Sequence, residues 1–128
     1  MNIHKEKKED YMEKIIEING KKVGLKASAK FLLLYENYFG KDGLKDLNSL
    51  LTGAGTANDL ANAIIIYRIT WAMAKNYNKK IAPLEDWLDE FDSFNLADVI
   101  PELLPLIKSA FGASDNDEKE PTENNKKN

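Results

Sequence analysis

The chain has no cysteine, one histidine and one arginine among its 128 residues. Without thiols it can form neither disulfides nor thiolate zinc sites, and it has no cysteine nucleophile. With His4 as the only imidazole, it also lacks the usual general base and the usual metal ligand, and its serines have no histidine partner for a triad. The composition therefore predicts a protein that is not an enzyme and that binds no metal or cofactor.

Long apolar runs and an excess of positive charge are missing as well. The longest apolar stretch, 61–74, is interrupted by polar residues and is shorter than the roughly 20 residues that a membrane helix needs. The first residues, MNIHKEKKEDYMEK, are charged where a signal peptide is apolar. The net charge of -3 argues against a dedicated nucleic-acid binder. We expect a cytoplasmic protein whose partners are neither membranes nor nucleic acids.

The length fits one domain with a core of its own. Apolar content varies along the chain and predicts three segments. Residues 1–12 are expected to be flexible, residues 13–111 to form a single domain, and residues 112–128 to form a disordered acidic tail. The tail, GASDNDEKEPTENNKKN, has no large apolar residue whose burial could offset the entropy lost on ordering.

The stretch EKIIEINGKKVGLKA contains two short runs of β-branched residues around Asn19-Gly20. Asn-Gly is a strong hairpin signal because both residues tolerate the positive φ of a type I′ turn. The stretch therefore predicts a β-hairpin at 13–27. Because side chains alternate between the faces of a strand, Ile16 and Ile18 are expected to share one face of the first strand, and Val23 and Leu25 one face of the second.

Apolar residues at three- and four-residue spacing predict helices after the hairpin. Their expected ranges are 28–39, 44–52, 57–77, 83–92 and 96–111. Ser28 is expected to cap the first helix and Gly40 to end it in a left-handed conformation. The helix at 57–77 is apolar over most of its circumference and should be the central core helix. The predicted fold is α+β, mainly α, with an N-terminal β-hairpin followed by a four- to five-helix bundle.

Three helix ends carry further signals. Gly53 and Gly55 are expected to close the second helix, and Thr56 with Asp59 resembles a capping box that opens the third. Asn95 with Asp98 is expected to cap the last helix in the same way. That helix contains Pro101 and Pro105, which each delete a backbone hydrogen bond and are expected to kink or restart it.

The stretch EDWLDEFDSFNLADVIPELLPLI is dense in carboxylates and could in principle hold a metal. Glu85, Asp86, Asp89 and Glu90, however, fall on the side of the helix opposite its apolar stripe, so they are expected to be solvated. The stretch also lacks the glycine and the ligand spacing of a calcium loop. TGAGTAND, before the third helix, lacks the lysine of a phosphate-binding loop and predicts an ordinary turn.

The stretch EDWLDEFDSFNLADVIPELLPLI also contains more large apolar residues than a small domain is expected to bury. Core packing and an exposed face that binds another protein therefore both remain open for its aromatic and aliphatic side chains. The candidates for a protein-binding surface are Trp87, Leu88, Phe91, Phe94, Ile100 and Leu103.

The order of these segments resembles the tail assembly chaperones of siphophages and prophages of low-GC Gram-positive bacteria. The resemblance covers roughly 13–111 and rests on this pattern and on the block DWLDEFDSFN with DVIPEL after it. In order, the segments are the hairpin IIEINGKKVGLKAS, the helix AKFLLLYENYFG, the linker GLKDLNSLL, the long helix DLANAIIIYRITWAMAKN, the stretch PLEDWLDEFDSFNLADVIPELLPLI and a hydrophilic tail.

The resemblance implies a non-catalytic protein of the host cytoplasm, absent from the mature virion. Such a protein binds and solubilises the apolar, helical tape measure protein before the tail tube polymerises around it. The resemblance further implies self-association, the tail tube protein as a second partner, and a longer product made by ribosomal frameshifting. The adjacent lysines of NNKKN are consistent with an A-rich slippery sequence.

A small regulatory DNA-binding protein is the alternative. The segment NSLLTGAGTANDLANAIIIYR has a spacing similar to that of a helix-turn-helix. Against this interpretation, its second helix is too apolar to lie in a major groove, and Arg68 is the only arginine of the chain.

Overall fold

The computed structural model describes residues 12–52 and 60–110. In chain order they form two strands and five helices, which confirms the predicted class of a hairpin followed by helices. The elements are β1 (Glu13–Ile18), β2 (Lys21–Lys26), α1 (Lys30–Phe39), α2 (Gly43–Thr52), α3 (Leu60–Tyr77), α4 (Leu84–Leu88) and α5 (Leu96–Ala110).

Several predictions lie outside the described residues. These are the flexible segment before Met12, the disordered tail at 112–128, the turn at 53–59 and the side chain of His4. The glycine stop at Gly53 and Gly55 and the capping box of Thr56 and Asp59 belong to that turn.

The hairpin forms where the sequence predicts it. Asn19 and Gly20 have φ values of 51° and 84°, as a type I′ turn requires. β1 and β2 pair antiparallel, with Ile18 opposite Lys21 beside the turn. Ile16, Ile18 and Leu25 are buried and Val23 is half-buried, so each predicted pair does share a face, and both faces turn towards the core.

α1 ends as predicted but begins differently. Gly40 takes the left-handed conformation, with φ 63°, and its N–H donates to the carbonyl of Glu36. Ser28, however, does not cap the helix, which starts after Ala29 without a side-chain cap. The Ser28 hydroxyl instead accepts a hydrogen bond from the Asn76 amide at 3.0 Å. The prediction was wrong because a side chain of α3 competes for this hydroxyl.

α3 is the central helix, as predicted. It contacts β2 and each of the other four helices. Nearly every residue from 65 to 74 is buried, on all sides of the helix. Its one buried polar side chain in this stretch, Thr70, donates to the carbonyl of Ile66 at 2.7 Å. No helix within the described ranges, α3 included, is long and apolar enough to span a membrane.

α4 is shorter than predicted. It ends at Leu88, and the chain continues in tighter turns in which Glu90 and Phe91 donate to carbonyls three residues back. Such three-residue bonds satisfy the donors after a helix end without extending the helix. The predicted range of 83–92 is therefore correct in position but too long as a helix.

α5 runs from Leu96 to Ala110 through both Pro101 and Pro105, so the predicted restart does not occur. Both prolines are exposed, and the missing N–H bonds therefore lie on the solvent side. The N-terminal cap is present, because the Asn95 side-chain oxygen accepts from the N–H of Ala97 at 3.0 Å.

We expect the docking of α2 to depend on its inner face alone. Leu47 is fully buried and Leu44, one turn earlier, is 55% exposed. Leu47→Ala should lower the free energy of unfolding by about 2–5 kcal/mol, because it leaves a cavity against α1 and α3. Leu44→Ala, the matched control, should change it by less than about 0.5 kcal/mol. Urea denaturation followed by circular dichroism measures both, and equal losses would contradict this packing.

Candidate functional site

The residues predicted to form an exposed protein-binding strip are mostly inside the domain. Trp87 is only 3% exposed, and Phe91 and Leu103 are also buried. Leu88, Phe94 and Ile100 are half-buried and pack against the same core. Of the two alternatives that the sequence left open, core packing therefore holds for the first three, which belong to the hydrophobic core. Whether any of the six takes part in binding stays a prediction.

An aromatic cluster explains how the domain buries this much apolar surface. Trp87, Phe91 and Phe94 pack edge to face on one another, with ring centroids 5.0–6.0 Å apart. Phe94 packs in the same way on Tyr67 of α3, at 5.3 Å. Edge-to-face pairs add about 0.5–1.5 kcal/mol each beyond the area they bury. The cluster joins α4 and the turn after it to the central helix.

Part of this cluster reaches the surface in a groove between the hairpin and the end of α3. The groove has a volume of about 360 Å³. We call it the hairpin groove. Its apolar lining consists mainly of Ile15, Val23, Tyr77, Ile81, Trp87 and Phe91.

Two apolar side chains of the hairpin groove are substantially exposed. Ile15 is 55% exposed and Tyr77 is 42% exposed. The Tyr77 ring occupies the space that a Cβ at position 24 would need, so the ring can lie on the strand only because residue 24 is glycine. Gly24, Ile15 and Tyr77 are therefore the residues that the sequence interpretation missed. The signal was a glycine inside a strand, which often marks a close approach by another group.

The rim of the hairpin groove is charged. The Lys21 amine lies 3.8 Å from the Glu90 carboxylate and 5.6 Å from the centre of the Phe91 ring. Both charged side chains are about half-exposed, so their ion pair adds little to stability. An apolar floor with a charged rim suits an anchoring side chain from another molecule, since hot spots of interfaces have this arrangement.

The carboxylates of the α4 region are solvated, as predicted. Glu85, Asp86, Asp89 and Glu90 are all exposed. Within residues 12–52 and 60–110, no three histidine, cysteine, aspartate or glutamate residues lie close enough together to hold a metal ion.

A second polar cluster, which we call the three-helix lock, joins α1, α2 and α3. The Tyr35 hydroxyl donates to the Asp46 carboxylate at 2.5 Å and accepts from Nε of Arg68 at 3.1 Å. The Arg68 guanidinium also lies 3.6 Å from Asp46. Burial, and then the hydrogen bond to Asp46, raise the pKa of Tyr35 above its usual value of 10.0. Because these groups satisfy one another, we assign the cluster a structural role.

The comparisons with known proteins give no match for this chain. No family model matches it, and neither a curated protein nor a solved structure is significantly similar to it.

The raised pKa of Tyr35 predicts a loss of stability at high pH. The folded state favours the neutral phenol, so its contribution is complete below pH 10.0 and is lost as the pH rises further. We expect the free energy of unfolding of the wild type to fall above this pH more steeply than that of Tyr35→Phe. At pH 7, Tyr35→Phe should cost about 1–3 kcal/mol, because Asp46 and Arg68 lose a partner.

The matched control is Tyr38→Phe, on the exposed side of the same helix. It should retain the wild-type slope in urea titrations between pH 8 and about 11. If Tyr35→Phe and Tyr38→Phe gave the same slope, the phenol of Tyr35 would not be the group that the three-helix lock holds neutral.

Proposed function

We propose that this protein is a tail assembly chaperone of a siphophage or prophage of Gram-positive bacteria. In this role it binds and solubilises the tape measure protein before the tail tube polymerises, and it catalyses no reaction. The assignment to this family rests on the order of the segments at 13–111, which resembles that of tail assembly chaperones. The observation that best supports binding is the hairpin groove, where apolar side chains of the core open to solvent between charged residues.

The dimensions of the hairpin groove fit an anchoring role. Its volume of about 360 Å³ is at the lower end of the range for ligand pockets, so it suits side chains rather than a whole helix. A long apolar helix presents such side chains at three- and four-residue spacing. Ile15 and Tyr77, both exposed in the lining of the groove, would contact the helix beside an inserted side chain.

The charged surface supports the chaperone role in a second way. Glu85, Asp86 and Asp89 all point into solvent around α4. A chaperone that covers apolar helices must itself remain hydrated when many copies lie along one client, and like charges on its outer surface oppose aggregation. We include in the proposal the host cytoplasm as location, absence from the virion, self-association, contact with the tail tube protein and a frameshifted longer form.

The alternative of a DNA-binding protein has no specific observation in its favour among the described residues. Arg68, the single arginine, is engaged with Tyr35 and Asp46 and is largely covered. Its guanidinium is therefore committed to the protein rather than offered to a base edge or a phosphate.

Co-expression with the tape measure protein of the neighbouring gene tests the proposal. We expect the tagged wild-type protein to co-purify with it. Tyr77→Glu should lower the amount recovered at least tenfold, because it places a charge on the wall of the hairpin groove while leaving the core intact. Leu33→Glu is the matched control: Leu33 is also exposed, but lies on α1 outside the groove, so its variant should bind as the wild type does.

Circular dichroism of both variants should show the wild-type helix content. Equal recovery with Tyr77→Glu and Leu33→Glu would remove the hairpin groove from the proposal. A wild-type protein that recovers no tape measure protein, or one that shifts duplex DNA in a salt-dependent manner, would overturn the proposed function itself.

A further inference from the structure

The tip of the hairpin carries the one Asn-Gly pair of the sequence. Asn19 and Gly20 are both exposed, and apart from the chain neighbours no atom lies within 4 Å of the place that a Cβ on Gly20 would take. Asparagine is a thermolabile residue, because the backbone nitrogen of the residue after it can attack its side-chain amide. Glycine hinders this attack least, since it has no side chain. The turn therefore places a reactive pair in open solvent.

The reaction of such a pair is a deamidation. The backbone nitrogen of Gly20 loses its proton and bonds to Cγ of Asn19, while the C–N bond of the side-chain amide breaks and ammonia leaves. The product is a five-membered succinimide, which water then opens at either of its two carbonyl carbons. Opening at Cγ restores the main chain and leaves aspartate. Opening at the main-chain carbonyl carbon leaves isoaspartate, whose main chain runs through Cβ and Cγ. Both routes consume one water and release one ammonia.

The other asparagines of the described residues are held by their surroundings. Four of them lie within helices, whose hydrogen bonds fix the backbone dihedrals that ring closure must change: Asn37, Asn48, Asn62 and Asn76. Two others use the side-chain oxygen as an acceptor. Asn78 accepts from the N–H of Lys80 and Asn95 from that of Ala97, both at 3.0 Å. Each of these six therefore has a restraint on its backbone or on its side-chain amide.

Asn19 has neither restraint. No side-chain hydrogen bond of the described residues involves its amide. The bonds that close the turn join Ile18 to Lys21, so the N–H of Gly20 stays outside the ladder. The type I′ geometry turns the Gly20 nitrogen away from Cβ of Asn19, and ring closure therefore requires rotation about the Cα–C bond of Asn19. Only the turn itself resists this rotation, because both residues are exposed at the tip.

Isoaspartate at position 19 would change the turn itself. It adds a methylene group to the main chain, whereas a type I′ turn is built from two ordinary residues. The pairing of Ile18 with Lys21 depends on that turn. Lys21 in turn carries the amine that lies 3.8 Å from Glu90 on the rim of the hairpin groove. The modification should therefore loosen the last pair of the ladder and move the Lys21 amine away from Glu90.

We propose that Asn19 is a site of spontaneous deamidation, and that its isoaspartate product releases the tip of the hairpin from the turn after α4. The aspartate product keeps the tip in place, because Asp-Gly also fits a type I′ turn. The protein thus carries a slow covalent switch beside the rim of the hairpin groove. The site follows from the turn and its surroundings and does not depend on the proposed function.

Incubation of the full chain at mildly alkaline pH, followed by peptide mapping, tests the site. Trypsin cleaves after Lys14 and Lys21 and isolates Asn19 in the peptide IIEINGK. Mass spectrometry detects the exchange of the amide for an acid, and electron-transfer fragmentation distinguishes isoaspartate from aspartate. We expect Asn19 to react at least tenfold faster than Asn48 and Asn78 of the same sample, with isoaspartate among the products. The rate should rise with pH, because the attacking nitrogen must lose its proton. Equal rates at the three asparagines would overturn the proposal.

Asn19→Gly is the matched control, since Gly-Gly also fits a type I′ turn but offers no amide to attack. Its peptide 15–21 should keep its mass throughout the incubation. A mass change in that peptide of the variant would place the reaction at another residue and overturn the assignment to Asn19.

Amide hydrogen exchange, followed by NMR in the aged protein, tests the effect on the tip. In the isoaspartate form, the N–H groups of Ile18 and Lys21 should exchange at least tenfold faster than in the unmodified protein, because they bond to each other across the turn. Leu25, at the other end of the hairpin, should change less than threefold. Asn19→Asp adds the charge without the methylene and should exchange as the wild type does. Equal exchange in the isoaspartate form and in Asn19→Asp would contradict the release of the tip.

Discussion

The fold depends on the burial of α3 over nearly its whole circumference. A helix that is apolar on all sides is stable in water only when other elements cover every side. Here the hairpin covers one side, α1 and α2 a second, and α4 and α5 the rest. Ile66, Ile69, Ala72 and Met73 are fully enclosed as a result. The remaining elements have little to pack on except α3 and one another.

Hydrogen bonds from polar side chains near the C-terminal end of α3 fix the positions of the elements that cover this helix. The Trp71 indole donates to the carbonyl of Ala82 at 2.8 Å, and the Lys75 amine donates to the carbonyls of Lys79 and Ile81. The Asn76 amide reaches the end of β2 and the start of α1. Buried polar groups must find partners, so these bonds fix the positions of the hairpin and of the chain before α4. The hairpin groove lies between these two fixed elements and is therefore a product of the way α3 ends.

Local signals were enough to predict most of the elements. Asn19-Gly20 specifies its own turn, and Gly40 its own helix end, because the required φ values are properties of the residues themselves. The solvated acids of α4 could also be predicted, since one helix turn sets their direction. The start of α1 near Ser28 and the end of α4 at Leu88 could not be predicted from local signals. Asn76 of α3 binds the Ser28 hydroxyl, and the three-residue turns before Phe91 end α4. Neither contact is visible in the local sequence pattern.

The exposed apolar side chains could not be placed from the sequence because exposure is a property of the whole fold. Trp87 and Phe91 looked too large for a small core, yet Tyr67 and Phe94 supply rings that enclose them. Ile15 and Tyr77, the two apolar side chains of the hairpin groove that do reach solvent, come from elements that also carry core residues. The spacing of apolar residues within β1 or α3 does not distinguish these two side chains. Their position depends on the contact between the hairpin and the end of α3 at Gly24.

The two sides of the hairpin face surfaces of different polarity. On the side of β2, the end of α3 covers the strand and leaves an apolar groove with Lys21 on its rim. On the side of β1, a cleft separates the strand from α5, which presents Asp98 and Glu102. A two-stranded sheet gains its stability from what packs on it. The inner face of this hairpin is anchored by Ile16, Ile18 and Leu25. That anchoring, together with the contacts of β2 on α3, fixes the position of the short hairpin on the rest of the domain.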